Sequence, residues 1–114
     1  MNITFTATYN RCREETDMFD NEPLTSSVCS NLNSFFYNMF KNYLETDKIG
    51  VTVFYNCFYY SYVVIIKIED ADDINVLSLR RATSIESISI RDYGVFNLVN
   101  KDIMYTERNA SVNE

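Results

Sequence analysis

Two clusters of carboxylates are the residues of this chain whose types and spacing are best suited to chemistry. The first acidic cluster is Glu14, Glu15, Asp17, Asp20 and Glu22, and the second acidic cluster is Glu69, Asp70, Asp72 and Asp73. Carboxylate oxygens can hold Mg²⁺ or Ca²⁺, and a suitably spaced pair can hydrolyse a glycosidic bond. However, the second cluster lacks the glycine and the distal glutamate of an EF-hand loop. We therefore predict no metal and no cofactor.

The charge of the chain is concentrated in these clusters. Together they carry −9, whereas the whole chain carries −6, so the remaining residues sum to +3. A local negative potential attracts a basic partner. The pattern predicts a basic protein target, such as a nuclease or a nucleic-acid-processing complex, whose phosphate-binding surface these carboxylates would occupy. Direct nucleic-acid binding is disfavoured because it needs a positive groove.

A run of aromatic residues is the second unusual feature. It comprises Phe54, Tyr55, Phe58, Tyr59, Tyr60 and Tyr62. Because neighbouring residues of a strand point to opposite faces, these side chains cannot all lie in one core. Exposed tyrosine is favoured at protein interfaces, where it adds a large apolar area and a hydroxyl group. The alternative is that the tyrosines merely flank the core with their hydroxyls in water.

The aromatic run and the acids together form the predicted site. The predicted partner-binding residues are Tyr59, Tyr60, Tyr62, Glu69, Asp70, Asp72, Asp73, Glu14, Glu15 and Asp17. The second acidic cluster is preferred because it follows the strand that leads out of the aromatic run. In this interpretation charge steers the encounter, and a tyrosine anchors the contact.

The residues that are absent exclude most enzyme classes. The chain has no histidine, so neither a Ser/His/Asp triad nor a Cys/His pair can be built from it. Its two glycines, Gly50 and Gly94, cannot form a phosphate-binding glycine-rich loop. Three scattered cysteines do not make a zinc site alone. We predict that the protein is not an enzyme, with a small carboxylate-dependent enzyme or ligand-binding domain as a minor alternative.

The cysteines and the apolar runs bear on the compartment. The three cysteines, Cys12, Cys29 and Cys57, are odd in number and far apart in a chain long enough to fold without disulfides, which favours buried free thiols in a reducing compartment. The alternative is one bridge from Cys12 to Cys29 or Cys57 with a leftover thiol. No stretch approaches the roughly 20 apolar residues of a membrane helix, and the first residues do not resemble a secretory signal. We therefore predict a cytoplasmic protein without a membrane partner. Thirteen asparagines, with no glutamine or tryptophan, are typical of AT-rich genes. Such genes occur in phages, other viruses and mobile elements, and also among the ordinary genes of AT-rich organisms.

The first half of the chain predicts a strand followed by a long helix. Asn2 to Tyr9 alternates polar and apolar residues, which is the pattern of a half-buried strand. Pro23 suits the first turn of a helix of about 20 residues. The apolar stripe of that helix comprises Val28, Leu32, Phe35, Phe36, Met39, Phe40, Tyr43 and Leu44.

The second half predicts mostly strands. Val51–Tyr55 and Tyr60–Ile68 are rich in β-branched and aromatic residues. Residues 74–82 fit either a helix or a strand. Strands are predicted around Ile88 and over 95–99, on either side of a turn at residues 92–94, with a final edge strand over 103–106. The chain is therefore predicted to be one α+β domain over residues 1–114. It consists of one long amphipathic helix on an antiparallel sheet of four to six strands, in the order β-α-β-β-(α or β)-β-β.

Three functional hypotheses follow from these features. The favoured one is a non-enzymatic acidic binding protein that inhibits or occupies a basic, nucleic-acid-acting target, as immunity proteins and phage anti-defence proteins do. The alternative is a structural or assembly subunit that self-associates through an exposed aromatic patch. The third is the carboxylate-dependent enzyme or ligand-binding domain. Salt separates the first two, because association driven by charge weakens as ionic strength rises.

Overall fold

The computed structural model describes residues 2–12, 25–44, 48–72, 77, 80 and 86–106. Its elements are β1 Asn2–Arg11, α1 Thr25–Leu44, β2 Ile49–Asn56, β3 Ser61–Ile68, β4 Ser87–Ile90 and β5 Gly94–Thr106. The strands form one antiparallel sheet in the order β2-β3-β1-β5-β4. The predicted α+β class, with one long helix on an antiparallel sheet, is confirmed.

β1 is the central strand, and its alternation determines which face of the sheet is buried. Phe5 pairs with Ile66 of β3 on one side and with Ile103 of β5 on the other. Paired residues of antiparallel strands share a face. The apolar residues Ile3, Phe5, Ala7 and Tyr9 are therefore buried together, each no more than 2% exposed. The threonines between them lie on the opposite face.

α1 covers the buried face through the stripe expected from its sequence. Val28, Leu32, Phe36 and Phe40 are buried, and Phe35 and Met39 are partly buried. The Phe40 ring lies 6.2 Å from the Phe5 ring, so the helix packs directly on β1. Asn33 Nδ2 also donates a 2.8 Å hydrogen bond to the Val51 carbonyl, which ties α1 to β2. Pro23 and the side chains of Tyr43 and Leu44 lie outside the described residues.

The prediction for the C-terminal strands was wrong in one respect. Residues 95–99 and 103–106 belong to one continuous strand, β5, which pairs with β1, and 103–106 is not a separate edge strand. Thr8 pairs with Asn100 and Tyr9 with Leu98, so Val99 is an extra residue in β5. Such a β-bulge interrupts the alternation of side chains without ending the strand.

One further boundary differs from expectation, and most of one predicted segment lies outside the described residues. Tyr60 was predicted to begin a strand, but β3 begins at Ser61 and Tyr60 lies in the preceding turn. Of residues 74–82, only Leu77 and Arg80 are described, and both are helical. Arg80 Nε donates a 3.4 Å hydrogen bond to the Tyr105 hydroxyl of β5. Among the described residues, no helix is long and apolar enough to cross a bilayer.

Candidate binding surface

The turn between β2 and β3 presents three consecutive aromatic side chains to solvent. Phe58, Tyr59 and Tyr60 are 86%, 75% and 65% exposed, and we call these three residues the aromatic turn. None of them belongs to the core formed by α1 and the sheet. The exposure predicted for Tyr59 and Tyr60 is therefore present in the structure, and Phe58 is more exposed than either.

The backbone of this turn is held by Asn56. Tyr59 N–H donates a 3.2 Å hydrogen bond to the Asn56 carbonyl, and Phe58 N–H donates a 3.1 Å hydrogen bond to Asn56 Oδ1. Asparagine favours this position because its side chain can bond the backbone two residues on. Tyr60 has a φ of 52°, in the left-handed region that closes such loops. The three rings are thus presented by an ordered backbone.

Tyr62 cannot serve as the predicted anchor, because it is completely buried. It is the second residue of β3, its side chain lies on the sheet face that α1 covers, and it pairs with Tyr9 of β1. Its ring lies 5.6 Å from the Phe96 ring in an edge-on arrangement and 4.9 Å from the Tyr55 ring. The register of β3 therefore makes Tyr62 a core residue.

The second acidic cluster lies where the chain leaves β3. Glu69, Asp70 and Asp72 are exposed, and Asp73 lies outside the described residues. Lys48 Nζ forms a 2.6 Å salt bridge with Asp70 Oδ2, and Asp70 N–H donates a hydrogen bond to Asn2 Oδ1. Lys67 and Glu69 line the same shallow recess. Nearby lysines therefore offset part of the negative charge of this cluster.

The described acids of the second cluster, Glu69, Asp70 and Asp72, do not form one patch with the aromatic turn. The acids and the turn lie at opposite ends of the eight-residue strand β3, which at about 3.3 Å per residue separates them by roughly 25 Å. Exposed charges are screened over about 8 Å at physiological salt. Glu69, Asp70 and Asp72 therefore cannot act on the same side chains of a partner as the aromatic turn does.

The first acidic cluster lies outside the described residues, but its point of departure from the sheet is described. β1 ends at Arg11, next to the Tyr9–Tyr62 pair that leads into the aromatic turn. Cys12 follows, and its N–H donates a 2.7 Å hydrogen bond to the Val95 carbonyl. The chain therefore enters residues 14–22 from the end of the sheet that carries the aromatic turn.

The cysteines are all free, but only one of them is sheltered. Cys12 and Cys57 are exposed, so the expectation of three buried thiols was wrong for these two. Cys29 is partly covered by the core, and this burial raises the pKa of its thiol. Among the described residues there is no group of three or more potential ligands that could hold a metal ion.

A recess at the base of the aromatic turn was missed by sequence reasoning. It has a volume of about 410 Å³ and opens on the sheet face opposite α1. We call it the amide recess; its lining residues are Thr8, Asn10, Asn56, Tyr59, Ser61, Val63, Val99 and Asn100. The large number of asparagines in the chain was a signal, but only the strand order shows which of them lie together.

Comparisons with known proteins leave the function to be argued from this geometry. No protein family, no curated protein and no solved structure matches the chain. The aromatic turn, the acidic clusters and the amide recess are therefore the features on which a functional proposal can be based.

Proposed function

We propose that this chain is a non-enzymatic acidic binding protein that inhibits or occupies a basic, nucleic-acid-acting target. The observation that carries the proposal is the aromatic turn, whose three rings are exposed on a hydrogen-bonded backbone. These rings contribute nothing to the core of their own protein. Contiguous exposed aromatic surface marks interaction sites, and tyrosine is enriched among the residues that dominate binding energy.

The order of the turn supports its role as an anchor. Asn56 fixes the backbone through two hydrogen bonds, so little backbone freedom remains to be lost when a partner binds. Phe58 and Tyr59 also have few rotatable bonds for the area that they present. A rigid aromatic projection of this kind fits a pocket or cleft on the target.

Charge supports a basic target. The chain carries −6, and the five acids of the first acidic cluster follow closely after the strand end beside the aromatic turn. Such a field raises the rate of encounter with a positive surface. Proteins that act on nucleic acids carry positive surfaces that bind phosphates, and carboxylates can occupy the same surfaces. An immunity or anti-defence role in the cytoplasm is the form of inhibition that we propose.

A second candidate function rests on a different surface. Phe54, Val99 and Met104 are exposed on the sheet face opposite α1, where they are 45%, 54% and 59% exposed. An assembly subunit would bury this face against another copy of itself. Apolar self-association of this kind is insensitive to salt, whereas capture of a basic target is weakened by it.

The deciding experiment is affinity capture with three versions of the full chain. Wild type is compared with a Phe58→Ser/Tyr59→Ser double variant and with Phe54→Ser, a matched aromatic change on the same hairpin but outside the turn. We expect wild type and Phe54→Ser to capture the same basic protein, and we expect salt to release it from both. The double variant should fail to capture this protein. Recovery of identical proteins by all three would overturn the proposal. Salt-resistant self-association that Phe54→Ser abolishes would instead support the assembly subunit.

A further inference from the structure

We propose that the amide recess is a binding site for an uncharged, hydroxyl-rich ligand, namely a monosaccharide or disaccharide unit. The recess lies on the sheet face opposite α1, at the base of the aromatic turn. This inference does not rest on the proposed function, because it concerns a small molecule; Tyr59 is the one residue that the recess shares with the aromatic turn. It rests on the shape of the recess, on its lining chemistry and on the absence of charge among its lining residues.

The shape of the recess comes from the sheet. Its lining residues belong to the neighbouring strands β2, β3, β1 and β5, so it runs across the strands for about 14 Å. The bulge at Val99 increases the local twist of β5, and Tyr59 forms the wall on the side of the turn. A volume of about 410 Å³ lies within the range of small-molecule sites, roughly 300–1,000 Å³.

The lining is rich in groups that both donate and accept hydrogen bonds. Asn10, Asn56 and Asn100 each bring a side-chain amide, and Thr8 and Ser61 bring hydroxyl groups. Within the described part of the chain, the side-chain amides of Asn10 and Asn100 make no hydrogen bond. Asn56 uses its Oδ1 to accept from Phe58 N–H, which leaves its NH₂ donors for a ligand. Sugar hydroxyls also donate and accept, so they match this set.

The lack of charged side chains in the described lining disfavours ionic ligands. Among the described residues that line the recess, none is Asp, Glu, Lys or Arg. A charged group that leaves water without a counter-charge incurs a large desolvation penalty. Sites for phosphate groups generally add lysine, arginine or a helix N-terminus to their polar side chains, and no such group is among the described lining residues. The lining therefore favours a neutral ligand.

Apolar contacts complete the match to a sugar ring. Tyr59 is 75% exposed and Val99 is 54% exposed, so both keep apolar area available for contact. A pyranose ring has a C–H face that packs on an aromatic ring and hydroxyl edges that bond to amides. Strands and a hydrogen-bonded turn hold these residues, so the site is formed before the ligand arrives.

The test is a titration of the ¹⁵N-labelled full chain with simple sugars, followed by amide chemical shifts. The probes are the methyl glycosides of glucose, galactose and mannose, N-acetylglucosamine, maltose and cellobiose, with a glycan array to extend the series. We expect saturable shifts at Thr8, Asn10, Asn56, Tyr59 and Asn100 for at least one probe. A monosaccharide has about a dozen heavy atoms, which corresponds to a dissociation constant near 1 mM.

Matched variants make the result specific to the recess. Tyr59→Ala and Asn100→Ala should each weaken binding by about tenfold, while Thr4→Ala, on the same face of β1 but outside the recess, should bind as wild type does. Dispersed spectra of each variant will show that it is folded. No saturable shift with any probe and no array signal would overturn the proposal, as would binding that both recess variants retain. Neither result bears on partner capture, which does not use a sugar.

Discussion

The ring of Phe36 in α1 lies 5.5 Å from the ring of Tyr9 in β1, at an interplanar angle of 43°. Both side chains are only 2% exposed, so this contact joins the helix to the central strand inside the core. Phe36 also meets Phe40 with ring centroids 6.2 Å apart and Phe35 with centroids 5.2 Å apart. The aromatic side chains of α1 therefore act as one packed unit against the sheet.

Removal of the Phe36 ring should destabilise the fold strongly. Phe36→Ala deletes buried apolar surface and leaves a cavity that its neighbours cannot fill, so we expect a loss of about 3–5 kcal/mol in the free energy of unfolding. Urea denaturation measures this loss. Phe58→Ala is the matched control, because the same change at an exposed site should stay within about 0.5 kcal/mol. Equal effects of the two variants would show that the register of α1 is wrong.

Tyr9 should make stability fall at alkaline pH. Burial raises the pKa of Tyr9 from 10.0 to about 12, because the phenolate is poorly solvated in the core. Its contribution is fully present below about pH 10, where the unfolded tyrosine is still protonated, and it is lost as pH rises towards 12. The loss is about 2–3 kcal/mol.

The Tyr9→Phe variant isolates this effect from the other groups that titrate at alkaline pH. Unfolding free energies of wild type and variant are compared at neutral pH and at about pH 12. We expect the wild type to lose more stability than the variant over this range. Parallel losses in the two proteins would mean that the Tyr9 hydroxyl is solvated in the folded state.

Substitution by alanine should destabilise the fold at Gly94 but not at Gly50. Gly94 has a φ of 92°, in a region that alanine rarely adopts, whereas Gly50 has no positive φ. An added Cβ meets no heavy atom within 4 Å at either position, so only backbone conformation differs. We expect Gly94→Ala to lose at least about 1 kcal/mol and Gly50→Ala to be neutral or slightly stabilising. A similar thermal shift in both variants would contradict this assignment.

The helix and the central strand could be predicted because their signals are local. The stripe from Val28 to Phe40 and the alternation from Ile3 to Tyr9 each identify a buried face within one element. The continuity of β5 could not be predicted in the same way. The bulge at Val99 breaks the alternation, and only pairing with β1 shows that the strand continues.

The candidate site was predicted only in part. Which face of the sheet a side chain occupies, and which residues lie close to it, depend on how the strands pair. Alternation indicated that some tyrosines must be exposed, but the register of β3 decides that Tyr62 is the buried one. The length of the extended strand β3 separates Tyr59 from Asp70, although they are near in sequence. The strand order brings Asn10 and Asn100 together in the amide recess from opposite ends of the chain.

The two acidic clusters should differ in their effect on association. Neutralising the second cluster (Glu69→Gln, Asp70→Asn, Asp72→Asn and Asp73→Asn) should change the association rate little, because its described acids lie roughly 25 Å from the aromatic turn. Stability should also change by less than about 1 kcal/mol, since the Lys48–Asp70 salt bridge is solvent-exposed. Binding kinetics of the captured partner and urea denaturation measure the two effects. A large drop in association rate would contradict this prediction and show that the second cluster belongs to the interface.

Neutralising the first cluster is the matched comparison. With Glu14→Gln, Glu15→Gln, Asp17→Asn, Asp20→Asn and Glu22→Gln together, we expect slower association and a flatter dependence on salt. The dissociation rate should change less. If neither cluster affects the association rate, electrostatic attraction to a basic target is excluded as the basis of binding.

The central claim is that the aromatic turn anchors a basic partner, and the dissociation rate of that complex tests it most directly. The captured partner is measured against wild type, Phe58→Ala/Tyr59→Ala and Phe54→Ala by surface plasmon resonance at low and physiological salt. We expect the double variant to dissociate at least about thirtyfold faster, which corresponds to about 2 kcal/mol, with little change in association rate. Phe54→Ala should behave as wild type does. A double variant that dissociates at the wild-type rate would contradict the account.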